Sequence, residues 1–246
     1  MATRTASSPR VLSDRRFFTG MAIAMAVTAF IGFAPTYYLA GLNDAPTPLL
    51  TPRLHLHGAL CTAWMLLLVA QTGLIAAGRA DIHRLTGMAG VALGAAIFVS
   101  GIFTAIHSER RVHTDLNAGT LADPYVFLIF PFAAVGMFAL FGAIGVANRH
   151  RPGVHKRLML LATMSLLGPA LARIVTQLHL PVTNAIGALV LINLFLAALV
   201  AYDLATRGRL HPATLWGGGF LLISEPLRVA IGYSEPWRAI ARAVMG

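Results

Sequence analysis

This chain of 246 residues is poor in charge and nearly free of thiols. It has one cysteine, Cys61, which excludes an intramolecular disulfide and any multi-cysteine metal cluster. Its one lysine, Lys156, falls in a predicted connector. That position excludes a rhodopsin-type retinal linkage, which needs a lysine in the last helix. Only 11% of the residues are charged, where a soluble domain averages about 25%. No basic run interleaved with aromatics points to nucleic acid. The chain has no P-loop, no GxSxG elbow, no HExxH pair and none of the histidine clusters of membrane di-iron desaturases.

What is present is apolar length. Hydrophobic residues make up 57% of the chain and the mean hydropathy is +0.72. Runs of about 20 apolar residues, each enough to cross a bilayer, recur throughout. Residues 1–16 read as a basic cytoplasmic leader. The run behind them is as long as a full span and lacks a small-residue cleavage site. It predicts a retained first helix and not a cleaved signal peptide. The expected fold is an all-α membrane bundle over residues 17–235, followed by a short amphipathic tail at 236–246. Seven spans are predicted, near 17–40, 54–77, 84–106, 125–147, 157–177, 183–205 and 212–233. Gly78 to His83 predicts a tight turn between the second and third. Pro131 is expected to kink the fourth span, and Pro169 and Pro226 lie inside the fifth and seventh.

Charge sets the expected direction. Of the 19 lysines and arginines, twelve fall on the side of the N-terminus, five on the other side, and Arg173 and Arg228 within spans. This bias predicts a cytoplasmic N-terminus and an outer C-terminus in the bacterial inner membrane. It also accounts for the net charge of +10 without an acidic partner.

A faint repeat runs alongside. Arg79-x-x-x-His83-Arg-Leu recurs as Arg151-x-x-x-His155-Lys-Arg-Leu, and the same offset carries His107 onto His179. The second and third spans thus read as a copy of the fourth and fifth, against coincidence in a low-complexity membrane sequence.

Polar residues inside spans are the candidates for chemistry. His57, Cys61, Trp64, Leu68 and Gln71 share one helical face, which should turn to the bundle interior. His57 is then a ligand or proton-transfer group with Trp64 and Gln71 lining its cavity, or the face is helix packing. Arg173 shares a face with Ser165, Pro169 and Gln177. Glu225 and Arg228 lie one turn apart in the seventh span. An Arg–Glu pair between the fifth and seventh spans is the structural alternative, and it leaves one positive charge over. The predicted directions put His57, Arg173, Glu225 and Arg228 in the outer half, with His55, His107 and His179 at its boundary. Asn193 extends the cavity inward.

The histidines His83, His150, His155 and His211 lie among arginines at the other boundary. They read as headgroup contacts or as a second, cytoplasmic-side cofactor site. Heme b needs axial imidazoles, apolar walls and arginines for its propionates. His57 with His107 or His179, plus Arg173 or Arg228, supplies them. A non-heme metal would draw on His55, His57, His107 and His113, with Glu109 or Asp115. Joint ligation by His55 and His57 requires an unwound helix start.

The segments HLHGALCTAWMLLLVAQ, GRADIHRLTGMAG and HKRLMLLATMSLLGPALAR resemble a group of uncharacterised bacterial multi-pass inner-membrane proteins over roughly residues 50–175. A looser similarity, carried by histidines at helix ends, is to cytochrome b561-type heme membrane proteins. The first resemblance implies membrane location, and the second implies heme. The leading expectation is therefore a heme-binding redox protein with its site in the outer half. The alternatives are binding or transport of a small anionic or lipidic molecule, using the same arginines with Glu225, and a non-catalytic assembly factor.

Overall fold

The computed structural model describes residues 9–42, 51–114 and 123–246. Every regular element among them is helical. The α-helices are α1 (Pro9–Phe33), α2 (Pro52–Ala76), α3 (Ala80–Thr114), α4 (Pro124–Phe127), α5 (Ile129–Ala147), α6 (Pro152–Ser165), α7 (Gly168–Gln177), α8 (Asn184–Arg207), α9 (Pro212–Gly232) and α10 (Glu235–Met245). Short π and 3-10 turns, Ala34–Tyr38 and Ala40–Leu42, extend α1.

Prolines mark many of the starts. Pro52, Pro124, Pro152 and Pro212 occupy first turns, where a missing N–H costs nothing. Thr51 and Asp123 cap the turns that follow them, accepting from Leu54 N at 3.4 Å and Tyr125 N at 2.9 Å. Left-handed Gly78, at φ 77°, ends α2 and makes the predicted tight turn into α3.

Internal prolines act one turn upstream of themselves. Pro131 cannot donate to the Phe127 carbonyl, and the helix breaks between α4 and α5 at Leu128. Pro169 cannot donate to Ser165, and α6 gives way to α7 with a bend of 50°. Pro226 leaves α9 unbroken.

Five helices are long and apolar enough to cross a membrane, and the bent pair α6–α7 makes six if it is taken as one span. α9 has 21 residues, but Gly217 to Gly219, Glu225, Pro226 and Arg228 dilute its apolarity. α3 continues through residues 107–114, which the sequence pattern placed in a polar loop. No proline or glycine interrupts that stretch.

The helices alternate in direction. At the near end, where α1 starts, Arg15 donates to Ala76 O at 3.3 Å and Tyr202 donates to Asp14 at 2.7 Å. At the far end Tyr37 donates to His55 O at 3.1 Å, and Arg238 of α10 meets Asp123 at 2.6 Å. α6 runs through the middle, with Leu160, Leu161, Ala162 and Met164 at most 1% exposed. The outward faces carry Leu66, Trp216 and Ile223, an apolar coat suited to acyl chains. Gly32 lets α1 cross α7 backbone to backbone. A Cβ there would lie 2.4 Å from Ala170 O.

Candidate functional site

The polar face of α2 becomes the seam against α3 and the core. His57 uses both ring nitrogens. Its Nδ1–H donates to Ser100 Oγ at 2.9 Å, and that hydroxyl donates on to Ile97 O. Its Nε2 accepts from Cys61 Sγ at 3.5 Å. Gly101 lets α3 pack closely on α5: a Cβ there would lie 2.7 Å from Val135 Cγ1, and in ordinary contact, 3.5 Å, with the His57 imidazole. α2 is regular from Pro52 onward, so His55 diverges from His57 and stands exposed beside Tyr37. Trp64 is 8% exposed. It donates to Thr163 Oγ1 at 3.1 Å and meets Phe138 edge to face.

Gln71 lies at the near end. With its amide oriented to satisfy both ends, it accepts from Thr86 Oγ1 and Gly87 N and donates to His83 Nδ1 at 2.5 Å. His83 then faces His155, ring centroids 6.3 Å apart and planes at 85°. His155 donates its Nδ1–H to Gly145 O at 2.8 Å. The two histidines of the sequence repeat thus come together, each held through Nδ1. Each follows a tight turn, between α2 and α3 and between α5 and α6.

The remaining candidates are spread around the bundle. Arg173 lies over the Phe33 ring at 4.5 Å and donates to Pro169 O in its own helix. Arg228 donates to Ser224 Oγ at 2.8 Å and to Met137 Sδ at 3.1 Å. Glu225 accepts from Asn193. Neither arginine lies within ion-pair distance of Glu225, so the expected Arg–Glu lock between the fifth and seventh spans is not formed. His107 contacts Arg53 and Phe103 O. His179, at φ 50°, closes α7 and bonds Gln177 O. Contacts do not join His57, His107 and His179. Among the described residues no three metal-type side chains cluster. The side chains of Glu109 and His113, and the whole of Asp115, lie outside the described residues.

The most buried polar network is one the sequence reading passed over. Asp203 and Arg157 form an ion pair with side chains 0% and 3% exposed. Asp203 also accepts from Thr214 Oγ1 at 2.6 Å and from His211 N at 3.1 Å. Beside it Asp14 takes Lys156 and Tyr202. Phe18 lies under both cations. Four helices, α1, α6, α8 and α9, are tied at the near end by this set. His211 caps α9 through Nδ1. Burial, and then the Arg157 charge, pull its imidazole below the ordinary range, so the capping neutral form persists at neutral pH. A signal existed: Asp203 is the one acid inside an otherwise apolar predicted span, the property that singled out Glu225.

One cleft opens beside the seam. It lies at the far end between the start of α2 and the end of α3, about 280 Å³ in volume. Leu54, Pro52 and Phe103 form apolar walls, and Thr51, Thr104, Arg53 and His107 are its polar residues. His107 donates Nδ1–H to Phe103 O, which leaves its Nε2 lone pair facing Arg53. An apolar slot with a cation and an imidazole on its wall can hold an acid or carbonyl head on an apolar tail. Comparisons with family models, curated proteins and solved structures return no match.

Proposed function

We propose that this chain is a seven-span protein of the bacterial inner membrane that binds a small anionic or lipidic molecule between α2 and α3. The cleft carries this reading. Its apolar walls suit a short acyl chain along Leu54 and Phe103, and Arg53 and His107 suit an anionic head. Its volume sits at the lower edge of the ~300–1,000 Å³ typical of ligand pockets, which favours a single-chain ligand.

The seventh crossing is α9. It reaches from Thr214, bonded to Asp203 at the near end, to Gly232, packed on Val126 of α4 at the far end. Its low apolarity is tolerable because Thr214, Gly217, Gly218, Leu221 and Ser224 are buried in protein. The basic excess supports a cytoplasmic near end, with the cleft in the outer leaflet. A C-terminal reporter enzyme is expected to be active only outside, and cytoplasmic activity would refute the orientation.

Heme b is the second reading, and the His83–His155 pair favours it over the outer-half set. The two facing imidazoles, each held through Nδ1, would be the residues that hold the heme. Exposed Arg84, Arg149 and Arg151 lie close along the chain for its propionates. Gln71 would fix either tautomer of His83 by turning its amide. The group would supply one-electron transfer.

One preparation decides between the two. Purified protein is expected to bind a fluorescent single-chain carboxylate amphiphile. Arg53→Gln should weaken that binding about tenfold, the loss of one charge-assisted hydrogen bond of roughly 1.5 kcal/mol. Equal binding by wild type and by Arg53→Gln with His107→Ala would overturn the cleft. A Soret band removed by His83→Ala would establish the heme, and a spectrum without one would exclude it.

A further inference from the structure

Among acids whose side chains are described, all but one sit against a base. Asp14 meets Lys156, Asp81 meets Arg79, Asp203 meets Arg157, Asp123 meets Arg238, and Glu235 meets Arg238 and Arg242. Glu225 has no such partner. Both of its carboxyl oxygens lie 3.2 Å from Asn193 Nδ2. It is seven residues, about 10 Å at helical rise, from the end of α9. Asn193 is nine residues, about 14 Å at helical rise, inside α8. A charged group at such depth is costly unless it finds a partner.

Three further features fit that exchange. Asn193 Oδ1 is buried without a donor. Pro226 has no N–H, so the Leu222 carbonyl also lacks its helical donor. Arg228, one turn away, spends Nη2 on Ser224 and Met137 and leaves Nε buried without a partner. We propose that Glu225 and Asn193 form a membrane-embedded proton-binding site. Ionised, Glu225 accepts from the Asn193 amide as observed. Protonated, its O–H donates to Asn193 Oδ1 once that amide turns. One neutral side chain thereby serves both states, which a lysine or arginine does not.

The surroundings leave few other charges to bias it. Of the elements packed on α9, α5 carries no ionisable side chain. α6 and α8 carry theirs at the near end, around Arg157 and Asp203. Tyr125 of α4 and the charged residues of α10 lie at the far end, where Glu235 and Arg238 pair with each other and Arg238 with Asp123. Arg228, one turn along α9, is therefore the neighbouring charge of the site.

The test is labelling of the full chain in liposomes with dicyclohexylcarbodiimide. This apolar reagent adds whole to a protonated carboxyl. The acid oxygen bonds the central carbon, the proton moves to nitrogen, and acyl migration leaves a stable N-acylurea. Peptide mass mapping should find one adduct on Glu225, increasing as pH falls. Glu225→Gln should lose it. Asn193→Ala removes the charge-assisted bond to the carboxylate as well as the weaker neutral bond to the acid, so labelling should persist to higher pH. An unlabelled wild type, or labelling unchanged by Asn193→Ala, would overturn the proposal. Protection by sodium at fixed pH would also overturn it, in favour of a metal-cation site.

Discussion

Asp203→Leu is expected to destabilise the protein by about 3–5 kcal/mol, because it strands a buried arginine. Arg157 is 3% exposed at its side chain, and Asp203 is the acid it pairs with. The same change removes the acceptor for Thr214 Oγ1 and His211 N. Adding Arg157→Met removes the stranded charge and leaves only those two neutral donors unmet. The double variant should therefore lose only about 1–3 kcal/mol. Reversible unfolding in mixed micelles, with both single variants and the double, gives the comparison. A double variant as unstable as the sum of the singles would show that the two groups are not coupled.

The same network shows what the sequence does and does not disclose. Spans are legible because apolar length is a one-dimensional property, and Pro131, Pro169 and Gly78 act through local backbone chemistry. Helical spacing likewise predicts which α2 residues share a face, and Trp64 and Leu68 are buried on it. Partnership across helices is a different kind of property. Asp203 needs Arg157, 46 residues earlier, and Asp14 needs Lys156 across 142. Those residues read separately as a leader charge, two loop charges and a span terminus. The outer-half site suffered the same blindness. Arg173, Glu225 and Arg228 share a depth, but they occupy α7 against α1 and α9 against α5 and α8. Depth follows from position along a helix, whereas azimuth depends on packing that periodicity in one helix does not fix. The repeat was more informative, because equivalent positions in two hairpins end beside each other and so bring His83 to His155.

The two ends of the bundle are built for different tasks. At the near end each described acid is matched to a base and the helices are stapled. At the far end the cleft holds exposed Arg53 and half-buried His107, and Glu225 forms no ion pair. On the function proposed above, ligand exchange would fall to the far half. A helix-to-helix lock at Arg157 then holds the scaffold while groups nearer the other face change protonation or partner. On this division, losses at the near end should appear in stability, and losses at the far end in binding or labelling.

Trp64 tests that division, since it lies on the α2 face that also carries His57. Trp64→Ala is expected to cost about 3–5 kcal/mol, because it empties a large site between Phe138, Gly94 and the centre of α6. Binding of the carboxylate amphiphile by the fraction that remains folded should not change. Trp64→Phe keeps most of the volume and loses mainly the bond to Thr163, worth about 0.5–1.5 kcal/mol. Thr163 stays satisfied there, since it also donates to Met159 O. Thr163→Val is the sharper single change: it leaves the indole N–H buried without an acceptor, at about 1–3 kcal/mol. In combination with Trp64→Phe most of that cost should vanish, because no donor is left unmet. If Trp64→Ala instead abolished binding at unchanged stability, the indole would belong to a ligand cavity. The polar face of α2 would then be a site along its whole length, and not a packed seam with a cleft at one end.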